Sequence, residues 1–329
     1  MARDDLAENL SKVTKSEQSE GKKISDLAPL AIFAYRRLDS MNLVLDALEA
    51  CAEFATTPVY VFSDGPKGEI DRADVHAVRE AIRKRLRPNM TLIEQPSNLG
   101  LAPSVIAGVT RLCSDYGRAI IFEDDHVASI GALAWFNAAL DRYADDEQVM
   151  SVGGCMYDVP KIRKTGRAVF MAHPTPTTWA VWDRSWKLFD PVCSDWRERL
   201  RDPAFRKRFR ARGGMRYIDM MREQQAGRSS SWAIRWQYSV AKHTGLVLYP
   251  PEPMVTEIGA DSFATHGQRT ERLLPVAPLW KSPLPPPLPD TVALDQWAID
   301  HWSRKLKYSL YGLAMLVSGS IYRLRNGKL

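Results

Sequence analysis

Cysteine and long hydrophobic runs are both scarce in this sequence. Among the 329 residues there are four cysteines, widely separated and without any C-x-x-C spacing: Cys51, Cys113, Cys155 and Cys193. This spacing excludes a disulfide-stapled scaffold and a cysteine-based zinc site, and it is typical of proteins kept in a reducing compartment. The sequence also has no uninterrupted run of about 18 apolar residues, so no transmembrane helix is expected. A cytoplasmic location is therefore expected.

The overall composition is that of a globular protein. Apolar residues make up 45% of the chain and charged residues 26%, and the formal net charge is +6. These values exclude intrinsic disorder for most of the chain. Residues 1–26 are polar and lack an apolar segment, which predicts a mobile tail rather than a secretory signal. Residues 275–290 are rich in proline and predict an extended connector between the body and a helical extension at 291–329.

Short apolar runs alternate with amphipathic helical patterns from residue 27 onward. Apolar runs that predict strands occur at 30–34, 59–62, 91–93, 119–122 and 149–152, and the segments between them have helical periodicity. This order predicts an α/β fold with a mostly parallel, Rossmann-type sheet and helices on both faces. We divide it into a first half, 27–155, and a less regular second half, 156–274.

Charged residues follow the ends of three of these predicted strands. They are Arg36-Arg37, Asp64-Gly65 and Glu123-Asp124-Asp125. Because the carboxyl ends of parallel strands share one edge of a sheet, where ligands bind, we expect these residues to converge there.

Three consecutive carboxylates repel one another unless a cation lies among them. Oxygen ligands suit Mg²⁺ or Mn²⁺, and such an ion commonly bridges carboxylates to the phosphates of a ligand. The alternative is an exposed acidic turn that caps the helix predicted to begin near Ser129.

Five short motifs occur in the order typical of one enzyme family. They are Arg36, Asp64-Gly65, Asn98-Leu99-Gly100, Glu123-Asp124-Asp125 and Thr265-His266-Gly267. Over about residues 28 to 268 the sequence resembles nucleotide-sugar glycosyltransferases of the GT-A fold, such as N-acetylglucosaminyltransferase I and its bacterial sugar-transferase relatives. The resemblance implies a metal-dependent inverting transfer from a nucleotide-sugar, with a UDP-sugar favoured and Mn²⁺ or Mg²⁺ as cofactor. The first half would bind the nucleotide-sugar and the second half the acceptor.

The resemblance also implies a role for each matching residue. Arg36 would contact the diphosphate, and Asp64 would accept a hydrogen bond from a uracil ring within a site that includes Gly65, Asn98 and Gly100. Glu123 and Asp124 would hold the sugar and the ribose, and Asp125 would bind the metal. Thr265 and His266 would close over the diphosphate, with His266 either a metal ligand or a stabiliser of charge. Arg37 is interpreted as a solvated charge.

At the position of the general base, the sequence departs from the family pattern. In the family an Asp shortly before a Trp takes the proton of the acceptor hydroxyl, whereas here Ser230 stands near that position. A serine hydroxyl is a poor base near pH 7, so Asp219, Glu223 and Glu257 are the candidates. A non-catalytic nucleotide-sugar-binding or scaffold protein is the alternative. A sugar-phosphate nucleotidyltransferase is disfavoured, because residues 33–38 lack the glycines that such enzymes carry after the first strand.

The acceptor side leaves several alternatives open. The tryptophans of the second half either pack in the core or present flat faces to sugar rings: Trp179, Trp182, Trp186, Trp232 and Trp236. The arginine-rich stretch 197–212 is either a solvated surface or a contact for an anionic acceptor or membrane. Residues 308–322, with basic flanks, form either a packed helix or an interfacial one. The expected acceptor is a glycan or a lipid-linked sugar, with peripheral attachment to the inner face of the membrane as one option. No nucleic-acid motif is present.

Overall fold

The structure, a computed structural model, describes residues 26–155, 158–210, 217–258 and 277–307. Its strands in chain order are β1 (Leu30–Ala34), β2 (Val59–Ser63), β3 (Met90–Glu94), β4 (Arg118–Glu123), β5 (His126–Ala128), β6 (Val149–Gly153), β7 (Val169–Met171), β8 (Trp179–Trp182), β9 (Leu246–Tyr249) and β10 (Val255–Glu257). Its helices are α1 (Leu38–Glu49), α2 (Arg72–Lys84), α3 (Leu101–Tyr116), α4 (Ala132–Arg142), α5 (Pro160–Thr165), α6 (Asp183–Trp186), α7 (Trp196–Arg199), α8 (Pro203–Arg210), α9 (Tyr217–Gln225), α10 (Trp232–Lys242) and α11 (Gln296–Lys307).

Eight of these strands form one sheet in the order β3-β2-β1-β4-β8-β6-β9-β7. The strands from β3 to β4 are mutually parallel, and so are β6 and β9. β8 lies antiparallel between β4 and β6, and β7 lies antiparallel to β9 at the edge. The predicted α/β fold with a mostly parallel sheet is confirmed. Strands of both predicted halves share this sheet, so the division at 155 does not separate two sheets.

Alternate residues of β1 point into the two faces of the sheet. Leu30 and Ile32 belong to a core cluster that includes residues of α1, α2 and α4. Ala31 and Phe33 belong to a second cluster, on the other face, that includes residues of α3, α10 and α11. Because both faces are covered, β1 is apolar throughout, and β2 and β4 carry charged or hydroxyl side chains chiefly at their ends.

A small two-stranded ribbon connects the late part of the chain to the acidic triplet. β5 and β10 pair antiparallel, with Glu257 opposite His126, and the N–H of Ile258 donates to the carbonyl of Asp125 at 2.9 Å. The ribbon therefore carries Glu257 to the segment that directly follows β4.

The remaining predictions concern the ends of the chain. Residues 277–295 contain no helix or strand, and Tyr143 donates a hydrogen bond of 2.6 Å from its hydroxyl to the carbonyl of Pro289. Within the described ranges, no helix has the length and apolar character needed to cross a membrane. Several predictions fall outside the described residues: all of the tail predicted at 1–26 except Asp26, Thr265, His266, and residues 308–322.

Candidate functional site

The carboxyl ends of β1, β2 and β4 border one cleft of about 310 Å³. The parallel register explains why, since Ala34 lies opposite Ser63 and Phe33 lies opposite Glu123. Residues from these strand ends and from the first turn of α3 line the cleft: Phe33, Ala34, Tyr35, Arg36, Arg37, Phe62, Asp64, Lys67, Asn98, Gly100, Leu101, Ser104, Glu123 and Asp124. The strand-end motifs therefore meet at one site.

The cleft combines charges of both signs with an aromatic wall. Arg36 and Lys67 bring positive charge, and both side chains lie over the Tyr35 ring, at 5.7 and 5.8 Å from its centre. Phe33 and Phe62 stack with their ring centres 5.1 Å apart. A cleft with basic, acidic and flat apolar surfaces can accommodate a ligand that contains phosphates, hydroxyls and a planar ring.

Arg37 lies against the acidic triplet instead of in solvent. Its guanidinium donates to Oδ2 of Asp125 and lies 3.5 Å from Oδ1 of Asp124. The Arg37 side chain is 11% exposed, so its interpretation as a solvated charge is wrong. The reason is its position between β1 and α1, where the turn directs it toward the end of β4.

One oxygen of Asp125 has no hydrogen-bond partner in the described part of the chain. This oxygen, Oδ1, is buried, and Nε2 of His126 lies 3.5 Å from it. A carboxylate oxygen that is buried without a hydrogen bond is costly, so it calls for a further partner.

The residues around this oxygen suit a divalent cation. Glu123, Asp125 and His126 each offer a ligand atom, and these atoms lie within 4.8 Å of one another. Nδ1 of His126 is hydrogen-bonded to Oγ1 of Thr178 at 3.0 Å, which fixes the ring. Two carboxylates and an imidazole are a donor set that Mn²⁺ accepts.

Glu123 lies in a strongly acidic environment. Burial raises the pKa of Glu123 well above its ordinary value, and the charges of Asp125, Asp124 and Glu257 raise it further, while Arg37 opposes them. A cation bound nearby would stabilise the ionised form of the Glu123 carboxylate.

Asp64 holds a loop of the cleft wall. Its Oδ1 accepts from the backbone N–H groups of Gly65 and Leu99 at 2.9 and 2.8 Å. Its Oδ2 accepts from the Asn98 amide and the Gly100 N–H, both at 2.9 Å. Gly100 has a φ of +84°, which favours glycine. Asp64 therefore builds the wall, and its contact with a nucleotide base stays a prediction.

The Tyr35 hydroxyl and the loop at Lys67 share a hydrogen-bonded carboxylate, that of Asp71. Its hydroxyl donates to Asp71, whose carboxylate also accepts from the N–H groups of Lys67 and Gly68 at 3.1 Å each. Burial raises the pKa of Tyr35 to about 12. The hydrogen bond from Tyr35 lowers the pKa of Asp71 to about 2.

The candidates for the general base differ in their surroundings. Asp219 is 2.9 Å from Arg222, and Glu223 is 2.7 Å from Arg228, both on or next to α9. Glu257 is exposed at the end of β10, opposite His126.

Ser230 lies outside the cleft lining, one residue before the cap of α10. It is exposed, and its neighbour Ser231 accepts from the N–H of Ile234 at 3.3 Å. This serine segment therefore begins a helix, and a catalytic role for Ser230 stays a prediction.

The tryptophans of the second half pack in the core. Their exposed fractions run from 1% to 5%: Trp179, Trp182, Trp186, Trp232 and Trp236. Trp179 stacks on Trp232 with ring centres 5.0 Å apart. Of the two alternatives, core packing is therefore the one observed.

The described part of the arginine-rich stretch, residues 197–210, forms an exposed basic surface. On α8, Phe205 and Phe209 are buried, whereas Arg206, Lys207 and Arg210 face solvent. An anionic partner for this surface stays a prediction.

Comparison with known proteins gives distant structural similarity. No protein-family model matches the sequence, and no curated protein matches it. The chain is similar to the mannosyltransferase PcManGT from Pyrobaculum calidifontis, in complex with GDP-Man and Mn²⁺, at 15% identity and a TM-score of 0.31, covering 54% of this chain and 51% of that chain. It is also similar to the galactosyltransferase LgtC, in complex with donor and acceptor sugar analogs, at 16% identity and a TM-score of 0.30, covering 53% of this chain and 65% of that chain.

The chain thus spans less than two thirds of the length of either structure. These values are too low to assign a family, and the resemblance to N-acetylglucosaminyltransferase I stays a prediction.

Proposed function

We propose that this protein is a metal-dependent glycosyltransferase that moves a sugar from a nucleotide-sugar to an acceptor hydroxyl. The observation that carries the proposal is the buried Oδ1 of Asp125, which accepts no hydrogen bond from the described residues. It lies in a group of metal-ligating side chains, beside a cleft that also contains Arg36 and Lys67. A cation site next to basic side chains is what a nucleoside diphosphate requires.

The two signs of charge in the cleft support separate roles. The Arg36 guanidinium and the Lys67 ammonium would bind the diphosphate oxygens. Glu123 and Asp124 would accept hydrogen bonds from hydroxyls of the sugar and the ribose. Ser104 also lines the cleft, and within the described part of the chain its buried hydroxyl has no hydrogen-bond partner.

Asp125, His126 and Glu123 would hold Mn²⁺ or Mg²⁺. The ion would neutralise the charge that develops on the departing diphosphate. Thr178 keeps the His126 ring oriented, and Arg37 neutralises the other oxygen of Asp125. Thr178 and Arg37 therefore fix two of the residues that would ligate the metal, His126 and Asp125.

Glu257 is the best-placed of the predicted bases. Glu257 is exposed at the end of β10, opposite His126, and its charge acts on Glu123. Asp219 and Glu223 lie on α9 beside Arg222 and Arg228, outside the cleft lining. In the proposed step the acceptor oxygen bonds to the anomeric carbon as the bond from that carbon to the diphosphate oxygen breaks. The hydroxyl proton passes to the Glu257 carboxylate, and the displacement inverts the anomeric centre.

A thermal-shift screen tests the proposal without a known acceptor. Nucleoside diphosphates and nucleotide-sugars are added with and without Mn²⁺, and the melting temperature is measured. We expect a rise that needs both nucleotide and Mn²⁺, is largest for uridine, and is lost in Asp125→Asn. No rise with any nucleotide would refute the proposal.

A nucleotide-sugar-binding protein without transferase activity is the second candidate. The hydroxyl of Ser230 where the family has a carboxylate favours it. Binding of a nucleotide-sugar with no release of nucleoside diphosphate, by transfer or by hydrolysis, would identify this candidate.

A further inference from the structure

We propose that Arg37 is an internal counter-ion of the acidic triplet and that it competes with the divalent cation for Asp125. This inference rests on the metal site of the proposed function. It goes beyond that function by assigning how the acids are neutralised without a metal, and it makes metal affinity a property that Arg37 sets.

The contacts of Arg37 are those of a buried ion pair. Its guanidinium donates to Oδ2 of Asp125 and lies 3.5 Å from Oδ1 of Asp124, and the three side chains are 11% to 12% exposed. Charges screened from water interact more strongly than those on a surface. The removal of one partner of such a pair leaves the other charge uncompensated.

Both sides of the pair are fixed by the backbone. The carbonyl of Arg37 accepts the N–H of Met41 at 2.9 Å in the first turn of α1. Oδ2 of Asp124 accepts the N–H of Tyr35 at 3.0 Å. The contact between Arg37 and the acids is therefore built into the junction of β1, α1 and β4.

The two oxygens of Asp125 have different surroundings. Oδ2 accepts a hydrogen bond from Arg37, whereas Oδ1 accepts none from the residues that the structure describes and lies 3.5 Å from Nε2 of His126. A divalent ion on this carboxylate shares it with a guanidinium, and the two positive charges repel each other. Arg37 therefore weakens cation binding, and the negative charge of a bound diphosphate offsets this effect.

Substitution of Arg37 tests whether this residue weakens the binding of Mn²⁺. The dissociation constant for Mn²⁺ alone is measured by the electron paramagnetic resonance signal of free Mn²⁺, and the melting temperature is measured without metal. We expect Arg37→Gln to bind Mn²⁺ about tenfold more tightly than the wild type. We also expect its metal-free melting temperature to fall by several degrees and saturating Mn²⁺ to restore it.

Two further variants serve as controls. Arg36→Gln removes the same charge one residue away, and we expect its Mn²⁺ affinity to change by less than about twofold, since only contact charges act strongly. Arg37→Lys keeps the positive charge, and we expect wild-type affinity within about threefold. It also tests the inference if Arg37→Gln fails to fold, because tightened binding by Arg37→Lys would overturn it.

The outcomes separate this inference from the proposed function. Unchanged or weaker Mn²⁺ binding by Arg37→Gln overturns the inference and leaves a metal-dependent transferase in place. An equal effect in Arg36→Gln also overturns it. Mn²⁺ binding by Arg37→Gln but not by the wild type supports the counter-ion role and leaves the proposed function to the thermal-shift screen, in which nucleotide and Mn²⁺ are added together. Absence of Mn²⁺ binding by both proteins overturns the inference, and the proposed function is refuted only if nucleotide and Mn²⁺ together also give no rise in the melting temperature.

Discussion

The backbone N–H of Tyr35 donates a hydrogen bond of 3.0 Å to Oδ2 of Asp124, which lies 89 residues later in the chain. This contact joins the ends of β1 and β4, two strands paired in parallel with Phe33 opposite Glu123. Asp124 is held by the main chain of its neighbouring strand and, at 3.5 Å, by Arg37. The main chain after β1 and the Arg37 side chain therefore position the Asp124 carboxylate together.

Thr178→Val should weaken metal binding. The Thr178 hydroxyl is hydrogen-bonded to Nδ1 of His126 at 3.0 Å, and loss of such an orienting contact reduces metal affinity about tenfold or more. Calorimetric titration with Mn²⁺ measures the change. Thr175→Val is the matched control, because the Thr175 hydroxyl lies 3.3 Å from that of Tyr249. Equal Mn²⁺ affinity in wild type and Thr178→Val would show that His126 is not a ligand.

Asp64→Asn should destabilise the wall of the cleft. An amide group would face the N–H donors of Leu99 and Gly100, which now bond to carboxylate oxygens at 2.8 and 2.9 Å. We expect the free energy of unfolding in urea to fall by about 2–3 kcal/mol, since a buried donor loses its acceptor. Nucleoside diphosphate affinity should fall with it. Asp115→Asn, at an exposed position of α3, should change stability by less than about 0.5 kcal/mol.

Glu257→Gln should slow the chemical step. A general base contributes about 10²–10⁴-fold to the rate, so we expect kcat to fall within that range while Mn²⁺ and nucleotide affinities stay close to wild type. Steady-state kinetics with a nucleotide-sugar measure the change. Glu223→Gln, which weakens the pair with Arg228 outside the cleft lining, should keep wild-type kcat. We expect Ser230→Asp to leave kcat equal or higher. Full activity in Glu257→Gln would assign the base elsewhere.

The hydrogen bond from Tyr35 to Asp71 should appear in the acid stability of the protein. It lowers the pKa of Asp71 from 3.8 to about 2. A carboxyl with a lower pKa in the folded state stabilises the fold above its unfolded pKa, and this contribution is lost as the pH falls from about 4 through about 2.

We therefore expect Tyr35→Phe to lose less stability than the wild type between pH 4 and pH 2, in urea midpoints measured across that window. Tyr60→Phe removes a hydroxyl that is bonded to the Tyr116 hydroxyl at 2.5 Å, so it should keep the acid dependence of the wild type. Parallel curves for wild type and Tyr35→Phe would argue against the assignment.

The central strands could be predicted from the sequence, but strand β8, which lies between β4 and β6, could not. β1, β2 and β4 are apolar runs bounded by turns, and the alternation with helices predicts a parallel sheet. β8 is missed, because its residues are buried throughout and a short apolar run without alternation has no characteristic period. Its antiparallel position between β4 and β6 depends on pairing between distant segments.

At the site, the strand-end rule predicts which segments meet but not which side chains face each other. The sequence predicts that Arg36 contacts a diphosphate and that Arg37 faces solvent. Which of the two arginines points toward the acidic triplet depends on the conformation of the turn after β1, which the sequence pattern does not give. His126 carried a signal that was missed, since it directly follows the acidic triplet. Thr178 carried none, because it lies 52 residues away from its partner.

The stacked indoles of Trp179 and Trp232 form a chromophore pair that is one residue along the chain from a contact of His126. Thr178, the partner of His126, is covalently followed by Trp179, whose indole stacks on Trp232 at an interplanar angle of 20°. Indoles this close couple excitonically, and their near-ultraviolet circular dichroism depends on small changes in ring geometry. A movement of His126 would be passed through Thr178 to the peptide next to this chromophore pair, so we expect Mn²⁺ bound at the acidic site to change the near-ultraviolet circular dichroism.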